Sequence, residues 1–217
     1  MQPFVFNETN TFCISLEKST DRWTRMLSRF QHFGLNVQKW KASTQEDLID
    51  PFGHYLNSGE RGCAQSHINI WKHIVNSNLP YAFVLEDDAC FDKEWKQKLD
   101  VFCQNNTDTD WHAVFLNASE PISIRDTWVH AHEQYLTAGY IISRKGAETL
   151  LHDFGGCFYS SDWMTSRLQN HHHSYCYFPW LIIQEGKDST IGCKVDADHA
   201  KVVRCLQEIE YSLENYL

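Results

Sequence analysis

Short apolar runs alternate with segments of helical period along this chain, and each kind of pattern predicts a different element. Thr11-Phe12-Cys13-Ile14-Ser15-Leu16 predicts a first strand. Ser19 or Thr20 then caps a helix whose Trp23, Met26, Leu27, Phe30 and Phe33 recur at helical spacing, with Gly34 as the stop. A short strand is predicted near Val37 to Trp40, and Asp50 to Gly59 has the Pro, Gly, Asn and Ser content of a loop. A second helix, from about Glu60 to Asn76, places Cys63, His67, Ile70, Trp71, Ile74 and Val75 on one face. It feeds directly into the apolar run Tyr81 to Leu85, a buried strand by its pattern.

Beyond that strand, Asp92 is expected to cap a helix carrying Trp95, Leu99 and Phe102, and Trp111 to Asn117 predicts another strand. Tyr135 to Ile142 is strand-like and leads into a helix through Ala147, Leu150 and Leu151. Ser160 to Gln169 predicts a helix and Tyr175 to Ile183 a strand. From about Asp198 to Tyr216, Val202, Val203, Leu206, Ile209 and Leu213 share one helical face, a pattern that suits a homodimer contact, a cover over a substrate groove, or packing on its own domain. Strands and helices in alternation indicate an α/β fold with a mixed, mostly parallel sheet. A single domain over residues 1–217 is expected, with no internal repeat.

Composition narrows the class without changing that picture. With 42% hydrophobic and 22% charged residues, the chain is globular in character. A formal charge of −9 argues against a nucleic-acid partner, since a phosphate backbone calls for concentrated Lys and Arg. No apolar run approaches the roughly 18 residues of a membrane span. Met1 to Glu8 shows neither the basic region nor the long apolar stretch of a signal peptide, so a cytoplasmic location is expected. The eight cysteines form no Cys-x-x-Cys pair and fall on predicted core elements, which favours buried free thiols over a disulfide framework. Sequons stand at Asn7, Asn105 and Asn117.

The densest chemistry lies at Tyr81-Ala82-Phe83-Val84-Leu85-Glu86-Asp87-Asp88. A buried strand here delivers three carboxylates to the edge of a sheet, the place where open α/β sheets collect ligands. Clustered carboxylates repel one another unless a cation sits among them, and oxygen ligands suit hard ions such as Mg2+ or Mn2+. The run therefore reads either as a metal–diphosphate site or as a solvated acidic turn.

Four ordered blocks make the chain similar to glycosyltransferase family 25, which includes bacterial lipooligosaccharide galactosyltransferases and collagen hydroxylysine galactosyltransferases. They are Ile14 to Arg22, Gly62-Cys63-Ala64-Gln65-Ser66-His67 with Trp71, Pro80 to Asp88, and Thr137-Ala138-Gly139-Tyr140-Ile141-Ile142 through Ala147. A weaker echo occurs at Asp162 and from Gln184 to Ser189 with Ile191, so the likeness covers about residues 11–192. The resemblance implies a Rossmann-like GT-A domain, a nucleotide-sugar donor and inversion at the anomeric carbon.

It also implies roles for individual residues. Asp88 and Asp87 are expected to bind the metal, Mn2+ or Mg2+, with Glu86 on the metal or on the donor's ribose. Arg22 is expected to pair with the diphosphate through its forked donors and Asp21 to orient the turn or the nucleoside, against the alternative of an ordinary Asp–Arg pair in a solvated helix turn. Gly139 and Tyr140 are expected where backbone approaches the pocket, or else where a strand glycine serves packing. His67 falls on an apolar helix face, where it is expected to pack in the core or support the site from behind, against the alternative of a donor contact.

An inverting transferase needs a base for the incoming hydroxyl, and Asp162 is the candidate, with Trp163 as an apolar wall for a sugar face and Glu120 as a weaker rival base. The competing role for Asp162 is a helix cap. His171-His172-His173 reads as a solvated loop, although one of them, or Gln184, Asp188 or Ser189, is a candidate for a late metal ligand.

The resulting expectation is a metal-dependent hexosyltransferase that takes galactose or glucose from a UDP-sugar and acts on a glycan or a hydroxylysine-type side chain. The alternative is a non-catalytic UDP-sugar-binding domain that serves a partner transferase.

Overall fold

The computed structural model describes residues 1–48, 51–117, 120–156, 158–186 and 194–217. In chain order the elements are β1 (Thr11–Ser15), α1 (Thr20–Phe33), β2 (Gln38–Lys41), α2 (Ser58–Asn76), β3 (Tyr81–Glu86), β4 (Ala89–Phe91) and α3 (Trp95–Asn105). There follow β5 (Ala113–Phe115), β6 (Thr127–His130), β7 (Gly139–Ser143), α4 (Arg144–Asp153), α5 (Ser161–Ser166), β8 (Ser174–Phe178), β9 (Ile182–Gln184) and α6 (Lys194–Glu208).

Seven strands form one sheet in the order β2-β1-β3-β7-β5-β8-β6, while β4 and β9 pair separately. The pairings β1–β2, β1–β3 and β5–β8 are parallel, and β7 and β6 run against their neighbours. Five of the seven strands therefore point one way, the mixed and mostly parallel α/β sheet that the alternation of elements predicts.

Alternate side chains of each strand feed opposite faces, as a pleated strand requires. Phe12, Ile14, Ala82, Val84, Phe115, Tyr140 and Ile142 join α2, α4 and α5 on one side. Cys13, Phe83, Leu85, Val114, Ile141 and Tyr177 join α1 and α3 on the other. Strands buried on both faces have near-continuous apolar sequences, which is why β1, β3 and β7 are so plain in the chain.

Several boundaries differ from the sequence pattern for identifiable reasons. Asn57 caps α2 with a reciprocal Asn57–Glu60 box, so the helix begins earlier than Glu60. Asp92 does not cap α3; its Oδ1 accepts from the Glu94 N–H and from Lys98, and the cap position falls to Glu94. Leu27, on the predicted apolar face of α1, is 49% exposed. The run Tyr175 to Ile183 divides into β8 and β9 around Pro179, which lacks the N–H a central ladder needs. β4 and β6 are too short to stand out in the sequence.

Part of the C-terminal pattern packs on the rest of the described chain, while Leu213 stays 41% exposed. Val202 and Leu206 of α6 are buried against Cys90, Phe178, Trp180 and Ile183. The helix stops at Glu208, Glu210 takes a positive φ of 56°, and Leu213 lies beyond it in a separate turn. Among the described residues, Cys13, Cys63, Cys90, Cys103, Cys176 and Cys205 are free thiols. Among those residues, too, no helix is long and apolar enough to cross a membrane.

Candidate active site

β3 lies beside β1 and ends at Glu86, and the chain turns sharply at Asp87-Asp88 to enter β4. A cleft of about 300 Å³ opens at this edge. Its walls are the end of β1, the start of α1 with Arg22, the Ala42–Gln45 segment, the first turns of α2, the three acids and Gln184. Gly62 lets α2 approach this closely, because a Cβ there would stand 2.5 Å from the Ser43 carbonyl oxygen.

Arg22 pairs with two of the acids. Its Nη2 reaches Asp87 Oδ1 at 2.6 Å and Asp88 Oδ2 at 3.1 Å, with all three side chains largely buried. Burial nevertheless pushes both carboxyls up, only partly countered by Arg22, and Asp88 rises to about 7 because Glu86 and Asp87 add their repulsion. Asp88 Oδ1 is buried and has no hydrogen-bond partner among the described residues, and the same is true of Gln184 Oε1. The two residues are neighbours: Gln184 pairs with Ala89 in the β4–β9 ladder, and the Glu185 N–H donates to the Asp88 carbonyl at 2.8 Å. Both oxygens belong to residues that line the same acidic cleft, and oxygen donors are the kind that hard divalent cations take.

Glu86 is held differently. The Trp71 indole N–H donates to the Tyr140 hydroxyl at 3.0 Å, Tyr140 donates to His67 Nδ1 at 2.9 Å, and His67 Nε2 donates to Glu86 Oε1 at 3.2 Å. An ionised carboxylate only accepts, so the bond to Glu86 assigns the proton to His67 Nε2 and leaves Nδ1 of the neutral ring to accept from Tyr140. Thr137 Oγ1 adds a 2.6 Å hydrogen bond to the same oxygen. Burial raises the Glu86 carboxyl, but His67, Thr137 and Arg22 outweigh it and hold the group below its ordinary value. Cys63, His67 and Glu86 place ligand atoms within 4.8 Å of one another. Within it His67 Nε2 and Glu86 Oε1 are hydrogen-bonded to each other, and burial pushes the Cys63 thiol well up.

The remaining candidates fall into place around this centre. Ser161 Oγ stands 3.0 Å from Thr137 Oγ1 and 3.6 Å from Cys63 Sγ, which brings the start of α5 close to Glu86; Asp162 follows it in the chain but is not among the residues lining the cleft. Asp162 Oδ1 accepts from the Trp163 N–H at 2.7 Å. Glu120 is tied to Lys201 at the surface. Asp21 is exposed in the first turn of α1 and is not among the residues lining the cleft.

Gly139 and Tyr140 are not among the residues lining the cleft. Gly139 is packed inside the sheet, where a Cβ would meet Ile182 Cδ1 at 2.4 Å, and Tyr140 is fully buried behind the cleft. His171 to His173 precede β8, at the sheet edge opposite the acids, because β8 runs parallel to β5 and the His112 N–H bonds to the His173 carbonyl. Asp188 and Ser189 lie outside the described residues. Thr137, Ser15 and Ser161 were not legible as site residues, since a hydroxyl acquires its role here only by meeting an acid from a distant element.

Comparison with known proteins gives the family of the chain. Residues 8–123 match the family model described as glycosyltransferase family 25 (LPS biosynthesis protein). A "Glycosyltransferase 25 family member" of Anopheles gambiae is 28% identical over 67% of this chain and 29% of its own length. "Procollagen galactosyltransferase 2" of Homo sapiens is 30% identical over 64% of this chain and 27% of its own length. "Procollagen galactosyltransferase 1" of Danio rerio is 34% identical over 64% and 28%, respectively. The chain thus spans less than a third of the length of these relatives. The match across the first strand, the His67 helix and the acidic turn makes this chain a member of glycosyltransferase family 25.

Proposed function

We propose that the protein transfers a hexose, galactose or glucose, from a UDP-sugar to a hydroxyl of a glycan or hydroxylated side chain, with inversion and with Mn2+ or Mg2+ bound. The observation that carries this reading is the pair of buried, unpartnered oxygens on Asp88 and Gln184 in a cleft that also contains Arg22. Family membership and the names of the relatives favour a galactosyl donor within a GT-A arrangement.

Asp88 and Gln184 would hold the cation, with Asp87 beside them. A bound divalent ion stabilises the negative charge that develops on a departing diphosphate. Arg22 presents a planar fork suited to phosphate oxygens and keeps the acids compensated. Glu86, ionised and fixed by His67 and Thr137, is placed to accept hydrogen bonds from donor hydroxyls. In the transfer, the acceptor oxygen forms a bond to the anomeric carbon, the bond to the diphosphate oxygen breaks, and UDP leaves with that electron pair. Asp162 takes the hydroxyl proton; its Oδ1 is engaged by the Trp163 N–H, which assigns the task to Oδ2.

The test is UDP release from a panel of UDP-sugars, with Mn2+ and with chelator, for the native protein, Asp88→Asn and Asp162→Asn. One sugar turned over in a manner that needs both metal and Asp88 supports the reading. Asp162→Asn should retain UDP binding and lose transfer. Metal-dependent binding with no turnover would favour the non-catalytic donor-binding alternative, and an absence of binding would refute both.

A further inference from the structure

Arg22, Arg25 and Arg29 recur at positions i, i+3 and i+7 along α1, which puts them on one side of the helix. Arg22 meets the acidic turn, while the other two meet Glu185, the residue directly after β9. Arg25 Nε donates to Glu185 Oε2 at 2.9 Å and Arg29 Nη2 to Glu185 Oε1 at 3.1 Å, so each carboxylate oxygen has its own guanidinium. The Glu185 and Arg29 side chains are each only 12% exposed. A carboxylate held by two guanidiniums away from bulk water is a firmer contact than an exposed ion pair.

The donor chemistry makes no use of Glu185, but it depends on the residues beside it. Successive side chains of an extended chain point to opposite faces, which is how Gln184 lines the cleft while Glu185 reaches α1. The β4–β9 ladder has only three residue pairs, and Gln184 belongs to the last of them. Such an end opens easily unless something else holds it. Glu185 supplies two holds at once: its side chain is fixed to α1, and its N–H donates to the Asp88 carbonyl at 2.8 Å. β9 lies beyond the residues 8–123 that carry the family match, whereas Asp88 lies among them. The two unpartnered oxygens therefore come from separate parts of the chain that α1 joins.

We propose that Glu185 is a positioning residue for the cation: gripped by Arg25 and Arg29, it fixes the end of β9 so that the Gln184 side-chain oxygen stays beside Asp88. α1 then holds both halves of the donor set, the acidic turn through Arg22 and β9 through Arg25 and Arg29. This deepens the transferase reading above and rests on it for Gln184 as a cation ligand. Both Glu185 oxygens are taken by arginines, so the residue acts through Gln184 and not as a ligand itself.

The probe is Mn2+ alone, with the free ion read by electron paramagnetic resonance. It is titrated into the native protein, Glu185→Gln, Arg25→Gln, Gln184→Leu and the double variant Glu185→Gln with Gln184→Leu. Glu185→Gln should lower Mn2+ affinity about tenfold and add no further loss in the Gln184→Leu background. A residue that merely supports the fold would lower the melting temperature in chelator without this dependence on Gln184. Arg25→Gln leaves the Arg29 contact in place and alters a side chain that is 34% exposed, so it keeps the test open if Glu185→Gln fails to fold. It should give a smaller loss in the same direction. Unchanged affinity in both variants, or a Glu185→Gln loss that persists in full in the Gln184→Leu background, overturns the positioning role and leaves the cation site standing. No Mn2+ binding by the native protein refutes the cation reading and the positioning role with it.

Discussion

Gln184 pairs across the β4–β9 ladder with Ala89, the residue after Asp88, and Gln184 and Asp88 each present a buried side-chain oxygen with no hydrogen-bond partner among the described residues. An orphaned polar atom of this kind costs about 1–3 kcal/mol, which is worth keeping only if something binds it. Gln184→Leu should therefore leave the metal-free protein as stable or slightly more stable in urea unfolding. Its Mn2+ affinity, read by electron paramagnetic resonance of free Mn2+, should fall about tenfold. An unchanged affinity would remove Gln184 from the metal site.

Arg22 is the positive charge facing Asp87 and Asp88 in this cleft, with its side chain 11% exposed. Removing one partner of a buried pair leaves the other uncompensated, so Arg22→Met should cost about 3 kcal/mol in the presence of chelator. Added Mn2+ should raise the melting temperature of the variant more than that of the native protein. Equal metal-induced shifts would mean that Arg22 and the cation do not share the same carboxylates.

Gly139 tests whether the strand or the pocket needs a glycine. A Cβ at this position would meet Ile182 Cδ1 at 2.4 Å and Leu85 Cδ2 at 3.2 Å, both core side chains. Gly139→Ala should lower stability by about 1–3 kcal/mol through overpacking. UDP affinity, measured by calorimetry below the melting temperature, should remain within about twofold. A selective loss of UDP binding at unchanged stability would restore the donor-contact role.

His112 sets an acid limit on the fold. Burial first, then the charges of Lys145, His171 and His173, lower its ring from 6.5 to about 4, with Asp110 acting weakly in the opposite sense. Between these values the unfolded chain binds the proton and the folded protein does not. Its contribution to stability is thus complete above pH 6.5 and is lost as pH falls toward 4. Urea unfolding of the native protein and of His112→Phe across this range should show the shallower acid decline in the variant. Parallel declines would assign the acid sensitivity to other groups.

Much of the architecture was legible in the chain because it depends on local periodicity. Strands buried on both faces, such as β3, need continuous apolar residues, and the amphipathic α1 and α2 carry their core faces at helical spacing. The acidic turn was equally plain, since three carboxylates directly after such a strand have few structural uses. Tertiary structure decided what each acid does. Glu86 is ionised because His67 and Thr137 arrive from α2 and from the approach to β7, whereas Asp88 retains an unpartnered oxygen beside Gln184. It likewise turned Asp21 to solvent, placed Gly139 in the core, and moved the three histidines to the far edge of the sheet. The physical reason is that periodicity reports which face of an element is buried, while hydrogen bonds and charge compensation depend on which distant elements meet there.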